Sequence, residues 1–241
     1  TSLEDDGGKF LGLGFTYMRS MQRCKYDRNR YLSDLAAMAS KGFNYQRMLS
    51  MVSWDGLEIM PISGNNNASP QEWIAAWPDY WAQFDYDIDT AYDQYGIRSE
   101  VTIFADAQNC MPNSNDRYAH MDTILAHCNA RTEKIIQIEV ANEGWQNGFP
   151  DESVTKTFAC YLAARTSIPI STTAGNTCYM YCPPTCADIA TVHFSRDLGS
   201  IDGHWGPVID PWNIYSSCGC ALPAVSSNEP IGSGSSVATE D

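Results

Sequence analysis

Short apolar runs alternate along the chain with stretches whose apolar residues recur at helical spacing. Seven runs predict strands, at residues 11–18, 43–52, 99–106, 135–140, 168–175, 188–197 and 221–232. Helices are predicted after Asp27, after Pro78, at about 116–130 and after Asp151. Because parallel neighbours in a sheet need a crossover connection, this alternation predicts a mostly parallel sheet.

The predicted fold class is α/β, a (β/α)8 TIM barrel whose eighth strand is missing from the sequence. The 241 residues suit one barrel, and we expect a single barrel domain over residues 1–241 that is incomplete at the C-terminus. The alternative is a doubly wound open sheet. It is disfavoured because no Gly-x-Gly-x-x-Gly sequence follows the first strand.

Two glutamates follow apolar strands in the same way. The segment IIQIEVANEGWQNG, residues 135–148, delivers Asn142 and Glu143 into a polar loop, and ALPAVSSNEPIG, residues 221–232, does the same for Glu229. In α/β barrels the chemistry sits on the loops after the carboxyl ends of the strands. Glutamates without a chemical role usually lie on helix faces, so this placement suggests a paired-carboxylate enzyme.

Glycoside hydrolysis commonly uses two such carboxyl groups. One donates a proton to the leaving oxygen, and the other attacks the anomeric carbon or activates a water molecule. Asp106 also ends a predicted strand. It suits either the binding of a sugar hydroxyl or a structural cap, and the sequence leaves both interpretations open.

The segment VANEG resembles the fourth-strand motif of clan A retaining glycoside hydrolases, which are (β/α)8 barrels. The resemblance implies that Glu143 is the general acid/base and Glu229 the nucleophile. It also implies that Asn142 hydrogen-bonds a sugar hydroxyl and that Arg47 keeps the nucleophile ionised, since a nearby guanidinium lowers the pKa of a carboxyl group. His193, in TVHFSRD, matches a position where the clan places an aromatic residue or histidine near the site.

Four tryptophans fall in loops that we expect at the catalytic face. They are Trp54, Trp145, Trp205 and Trp212. Flat aromatic rings suit the CH-rich faces of pyranose sugars, but each ring is equally suited to packing inside its loop. Trp145 and Trp205 are the two that we predict to bind substrate.

The charge of the chain changes the list of possible partners. A net charge of −14 argues against nucleic acid, whose binders carry basic patches. No apolar run is long enough for a transmembrane helix, so no membrane insertion is expected. The chain begins at Thr1 rather than at methionine, which suggests processing or a fragment.

Nine cysteines favour an oxidising compartment, and we expect an extracellular, cell-surface or virion-associated protein. Five of them fall late in the chain, at Cys178, Cys182, Cys186, Cys218 and Cys220. Their spacing does not match a standard zinc pattern, so disulfides that tie the loops after strands five and six are preferred over a metal site. The odd count leaves covalent oligomerisation open.

Together these patterns predict a retaining glycoside hydrolase that acts on a poly- or oligosaccharide and needs no cofactor or metal. The rival interpretation is a non-catalytic carbohydrate-binding or structural protein, for example in a filament or virion, on the same kind of barrel. The two differ in geometry, because an enzyme must bring Glu143 and Glu229 to one cleft. A retaining enzyme places the two carboxyl groups about 5 Å apart.

Overall fold

The computed structural model describes residues 4–5, 7–54, 56–66, 72–174, 182, 186–193 and 224–227. Seven strands form one parallel sheet whose spatial order follows the chain. They are β1 (Gly14–Thr16), β2 (Tyr45–Leu49), β3 (Arg98–Phe104), β4 (Ile135–Ala141), β5 (Ile170–Ala174), β6 (Ile189–Val192) and β7 (Ala224–Ser227). All seven predicted strands are thus found, and none extends more than one residue beyond its predicted range.

The helices connect successive strands of this sheet. They are α1 (Ser20–Tyr26), α2 (Arg28–Ser40), α3 (Tyr80–Tyr95), α4 (Ala107–Cys110), α5 (Ser114–Asn129) and α6 (Glu152–Ala163), with a 3-10 turn at Thr132–Lys134. The Asp27 carboxylate accepts the Arg30 N–H group at 3.2 Å and begins α2. The Asp151 carboxylate likewise accepts the Ser153 N–H group at 2.9 Å and begins α6. Side-chain oxygens at this position satisfy backbone donors that the helix leaves open.

The sheet curls strongly enough for distant strands to touch. Ser226 in β7 lies close enough to the Tyr45 hydroxyl in β2 to lower its pKa, although four strands separate β2 and β7 in the sheet. The Tyr45 ring lies directly over Gly14 of β1, where any side chain would collide with it. This contact between β2 and β7 requires the sheet to curl as it does in a barrel, although β1 and β7, its two outer strands, do not pair with each other in the part of the chain that the structure describes.

The connection after β2 is more ordered than the sequence predicts. Residues 54–70 are predicted to form a loop, but two short antiparallel hairpins occupy much of this connection. Val52–Trp54 pairs with Leu57–Ile59, and Gly64–Asn65 pairs with Trp73–Ile74. Strands of two or three residues are too short to produce a recognisable alternation of apolar and polar positions. Helix α1 is missing from the prediction as well, because its seven residues are too few for apolar positions to recur recognisably at helical spacing.

A disulfide joins Cys160 in α6 to Cys186, three residues before β6. The prediction of a disulfide at Cys186 is thus confirmed, but the bridge ties the segment before β6 to helix α6 and not to another of the late loops. Cys178, Cys218 and Cys220 lie outside the described residues. Among the helices that the structure describes, none combines the length and the apolar character needed to cross a bilayer.

Candidate active site

A buried ion pair lies inside the barrel. Arg47 of β2 donates from Nε and Nη2 to Oε2 of Glu139 in β4, at 3.0 and 2.6 Å. The side chains are 1% and 0% exposed, so both charges are out of water. Glu100, equally buried in β3, lies 3.6 Å from the Arg47 Nε atom. Buried charges need paired and hydrogen-bonded surroundings, and these three residues supply them for one another.

Hydroxyl groups complete the surroundings of Glu139. Oε2 accepts the Thr102 hydroxyl at 2.7 Å, and Oε1 accepts the hydroxyls of Thr191, at 2.8 Å, and Thr173. Burial alone would raise the pKa of Glu139. Arg47, His193 and the hydroxyls of Thr173 and Thr102 lower it by more than that, so the net pKa lies well below the ordinary range. Glu139 is therefore ionised at neutral pH.

Arg47 also fixes the orientation of Asn142. Its Nη2 atom donates to Oδ1 of Asn142 at 2.8 Å. Because a guanidinium only donates hydrogen bonds, it must meet the oxygen of the amide, and the Asn142 NH2 group faces the other way. The backbone N–H of Asn142 donates to the Phe104 carbonyl at 2.8 Å, which ties this residue to the end of β3. Asn142 is thus held as a hydrogen-bond donor at the carboxyl end of β4.

Glu143 follows Asn142 at the same end of β4, and its side chain is 27% exposed. Oε2 accepts the Gln146 amide at 3.0 Å, and Oε1 lies 3.2 Å from Nδ1 of His193, which follows β6. The backbone φ of Glu143 is +39°, a left-handed conformation that costs an L-residue about 1–2 kcal/mol. The structure therefore brings two sequence-predicted site residues, Glu143 and His193, into contact.

The remaining predicted residues are placed differently. Asp106 follows β3 but is fully buried, and its carboxylate accepts the Ser53 hydroxyl and the Asn109 amide, the latter at 2.7 Å. The hydroxyl-binding role needs an accessible carboxylate, which Asp106 does not offer. Its carboxylate also makes no capping bond to the backbone of α4, so its role is to bond the Ser53 and Asn109 side chains. Trp145, two residues after Glu143, is 38% exposed. Glu229, Trp205 and Trp212 lie outside the described residues, so their predicted roles stay predictions.

Sequence reasoning missed Glu139, although a signal was present. It is the one acidic residue in the apolar run of β4. A charge inside a strand that is buried along its whole length needs a partner, and Arg47 is the corresponding charge inside β2. The barrel interior therefore holds a charged layer directly beneath Asn142 and Glu143.

This arrangement is suited to proton transfer. A partly exposed carboxyl group lies at the edge where the strands end; its Oε2 atom accepts the Gln146 amide, and its Oε1 atom lies 3.2 Å from Nδ1 of His193. A group of this kind exchanges a proton with a bound molecule that comes within hydrogen-bonding reach. Asn142 supplies an oriented donor next to it.

The sequence matches no protein-family model, and no curated protein is significantly similar to it. Solved structures are similar in fold. An exo-β-1,4-mannosidase from Opitutaceae bacterium strain TAV5 matches with a TM-score of 0.64 at 16% identity, over 93% of this chain and 46% of that one. A glycoside hydrolase of family 5 from Bacteroides vulgatus matches with a TM-score of 0.67 at 16% identity, over 95% and 51%.

An endo-1,4-β-mannanase from Rhizomucor miehei is also similar, with a TM-score of 0.59 at 15% identity, over 92% of this chain and 77% of that one. The chain spans about half the length of the first two structures. At these identities the likeness concerns the fold. The parallel sheet with its curl and connecting helices is that of the (β/α)8-barrel glycoside hydrolases, and this chain has their fold.

Proposed function

We propose that the protein is a retaining glycoside hydrolase. The observation that carries the proposal is the placement of Glu143, an accessible carboxyl group in contact with His193 at the carboxyl end of β4. In barrels of this class the chemistry lies at that end of the strands. The oriented amide of Asn142 beside it supports the same conclusion, because sugar hydroxyls need hydrogen-bond donors and acceptors fixed in place.

The proposed reaction is a double displacement. Glu143 protonates the glycosidic oxygen while Glu229 attacks the anomeric carbon, so the leaving group departs as an alcohol and a covalent glycosyl-enzyme forms. Glu143, now ionised, takes a proton from a water molecule that attacks the same carbon and releases Glu229. Asn142 donates to a hydroxyl of the sugar. In the described residues Arg47 pairs with Glu139, and its effect on the ionisation of Glu229 stays a prediction.

β-1,4-Linked manno-oligosaccharides are the first substrates to test. Two of the structures compared above act on β-1,4-mannosidic bonds, by their names. The disulfide between Cys160 and Cys186 supports the proposal that the protein works in an oxidising compartment, outside the cytosol. Trp145, exposed beside Glu143, is proposed to contact the sugar.

The test compares Glu143→Gln and Glu229→Gln with the wild-type protein on these oligosaccharides. We expect Glu143→Gln to lose activity by about 10²- to 10⁴-fold, the range that positioned acid–base groups contribute. Glu229→Gln lacks the attacking carboxylate and should lose at least as much. Glu133→Gln is the matched control, since Glu133 is exposed in the 3-10 turn before β4, at the opposite end of that strand. It should retain wild-type activity.

A wild-type protein that binds oligosaccharides but hydrolyses none would contradict the proposal and favour the rival, a non-catalytic carbohydrate-binding or structural protein. Equal activity in Glu143→Gln and the wild type would contradict the assignment of Glu143 while leaving hydrolase activity in place. The substrate panel should include β-glucosides, so that the choice of sugar is tested separately from the reaction.

A further inference from the structure

Asn147 joins the ends of two strands next to Glu143. Its side chain is almost fully buried, and all three of its hydrogen bonds go to the main chain. Oδ1 accepts the Asp106 N–H group at 2.9 Å. Nδ2 donates to the carbonyl groups of Asn142, at 2.8 Å, and Glu143, at 3.3 Å. One carboxamide therefore links Asp106, the second residue after β3, to the two residues after β4.

The residues that it links have unusual backbone conformations. Asp106 has φ of +60° and Glu143 has φ of +39°, and they are the only residues other than glycine with positive φ in the part of the chain that the structure describes. Such conformations persist only where the surroundings hold them. Asn147 also bonds through its main chain, since its carbonyl accepts the Ala107 N–H group at 3.1 Å and its N–H donates to Glu143 at 3.2 Å.

We propose that Asn147 is a positioning residue for the acid/base Glu143, a role that rests on the proposed function. It touches the Glu143 backbone and not its carboxyl group. A change in the backbone angles of Glu143 swings the carboxyl group away from His193 and from the glycosidic oxygen. Proton transfer needs hydrogen-bonding distance, and a displacement of about 1 Å costs on the order of 100-fold in rate.

The test uses Asn147→Ala and Asn147→Asp. The aspartate keeps an acceptor for the Asp106 N–H group but turns a carboxylate oxygen toward the carbonyls of Asn142 and Glu143. If the donor bonds hold Glu143 in place, Asn147→Asp should therefore lose as much activity as Asn147→Ala. Asn129→Ala is the control, because Asn129 also bridges main chain and side chain, donating to the Arg165 carbonyl and accepting the Thr166 hydroxyl, away from the site.

The decisive readout is the dependence of kcat/KM on the leaving group of an aryl glycoside. A phenyl glycoside needs protonation as it leaves, whereas a dinitrophenyl glycoside does not. A misplaced Glu143 therefore lowers kcat/KM for the phenyl glycoside on the order of 100-fold and changes the dinitrophenyl value little. Equal losses on both substrates, or an effect as small as that of Asn129→Ala, would overturn the proposal.

Amide hydrogen exchange over residues 143–149 separates this proposal from the proposed function. The N–H groups of Gln146 and Phe149 donate to the carbonyls of Glu143 and Gly144, each at 2.8 Å. Asn147→Ala should speed exchange at these amides, whereas Asn129→Ala should not. If the wild type hydrolyses neither glycoside, the proposed function fails, and unchanged exchange in Asn147→Ala would independently refute the positional role.

Discussion

Replacing Glu139 by glutamine should destabilise the protein without changing its fold. The amide keeps the volume of the side chain and can still bond to Arg47 and to the threonine hydroxyls, but it removes the negative charge. The bonds that lose their charged character are those from the guanidinium, at 3.0 and 2.6 Å. Hydrogen bonds to charged groups contribute about 1.5–3 kcal/mol, and we expect Glu139→Gln to lower the free energy of unfolding by that amount.

The alanine variant gives the larger effect. Glu139→Ala removes every bond to the carboxylate and leaves the Arg47 guanidinium with Glu100, at 3.6 Å. Breaking a buried ion pair by removal of one partner costs about 3–5 kcal/mol, and Glu100 moves the expected loss toward the lower end of that range. Arg47→Ala leaves two buried carboxylates without the guanidinium, so its loss should lie at the upper end.

Urea unfolding at several pH values measures these losses. The ordinary pKa of a glutamate is 4.5, and that of folded Glu139 lies well below it. The unfolded chain therefore takes up a proton first as the pH falls, and the stabilisation by Glu139 is full above pH 4.5 and declines below it. Glu139→Gln should lack this part of the acid sensitivity. A variant as stable as the wild type at pH 7, or with the same acid sensitivity, would refute the reasoning.

Three further predictions concern stability. Replacing Cys160 and Cys186 together by serine should lower the unfolding free energy by about 2–4 kcal/mol, because the disulfide closes a separation of 26 residues; calorimetry under oxidising conditions measures it. Burial lowers the pKa of His120 to about 3 from 6.5. As the pH drops between these values, the unfolded chain binds the proton first and the folded protein loses stability. In urea unfolding, His120→Phe should therefore show a flatter dependence of stability on pH. Gly148→Ala should cost about 1–3 kcal/mol, because φ is +98° and a Cβ atom would lie 2.7 Å from the Gln108 nitrogen; its thermal midpoint should be lower than that of the wild type.

The sequence was sufficient for the strands and for the edge at which the site lies. The run before Asn142 is apolar and β-branched because β4 is buried along its whole length. The carboxyl ends of parallel strands meet at one edge of the sheet. For that reason His193 could be expected near Glu143, although 50 residues separate them, and the structure places the two in contact.

The partners of the buried charges could not be predicted in the same way. Catalytic carboxyl groups are expected at strand ends, whereas Glu139 points into the barrel from the middle of β4 and accepts hydrogen bonds from the guanidinium of Arg47. The surroundings of Asp106 depend on Ser53, which belongs to a short hairpin that the sequence pattern did not reveal. Both contacts arise from tertiary packing between segments that are far apart in the chain.

The most direct test of the central claim is to trap the covalent intermediate. A 2-deoxy-2-fluoro glycosyl fluoride of the preferred sugar slows release of the glycosyl group, and mass spectrometry of the digested protein then locates the label. We expect one added glycosyl group on the peptide that contains Glu229, and no label on that peptide in the Glu229→Gln variant. A label on a different carboxylate, or hydrolysis with inversion and no label, would contradict the assignment of Glu143 and Glu229 as the retaining pair.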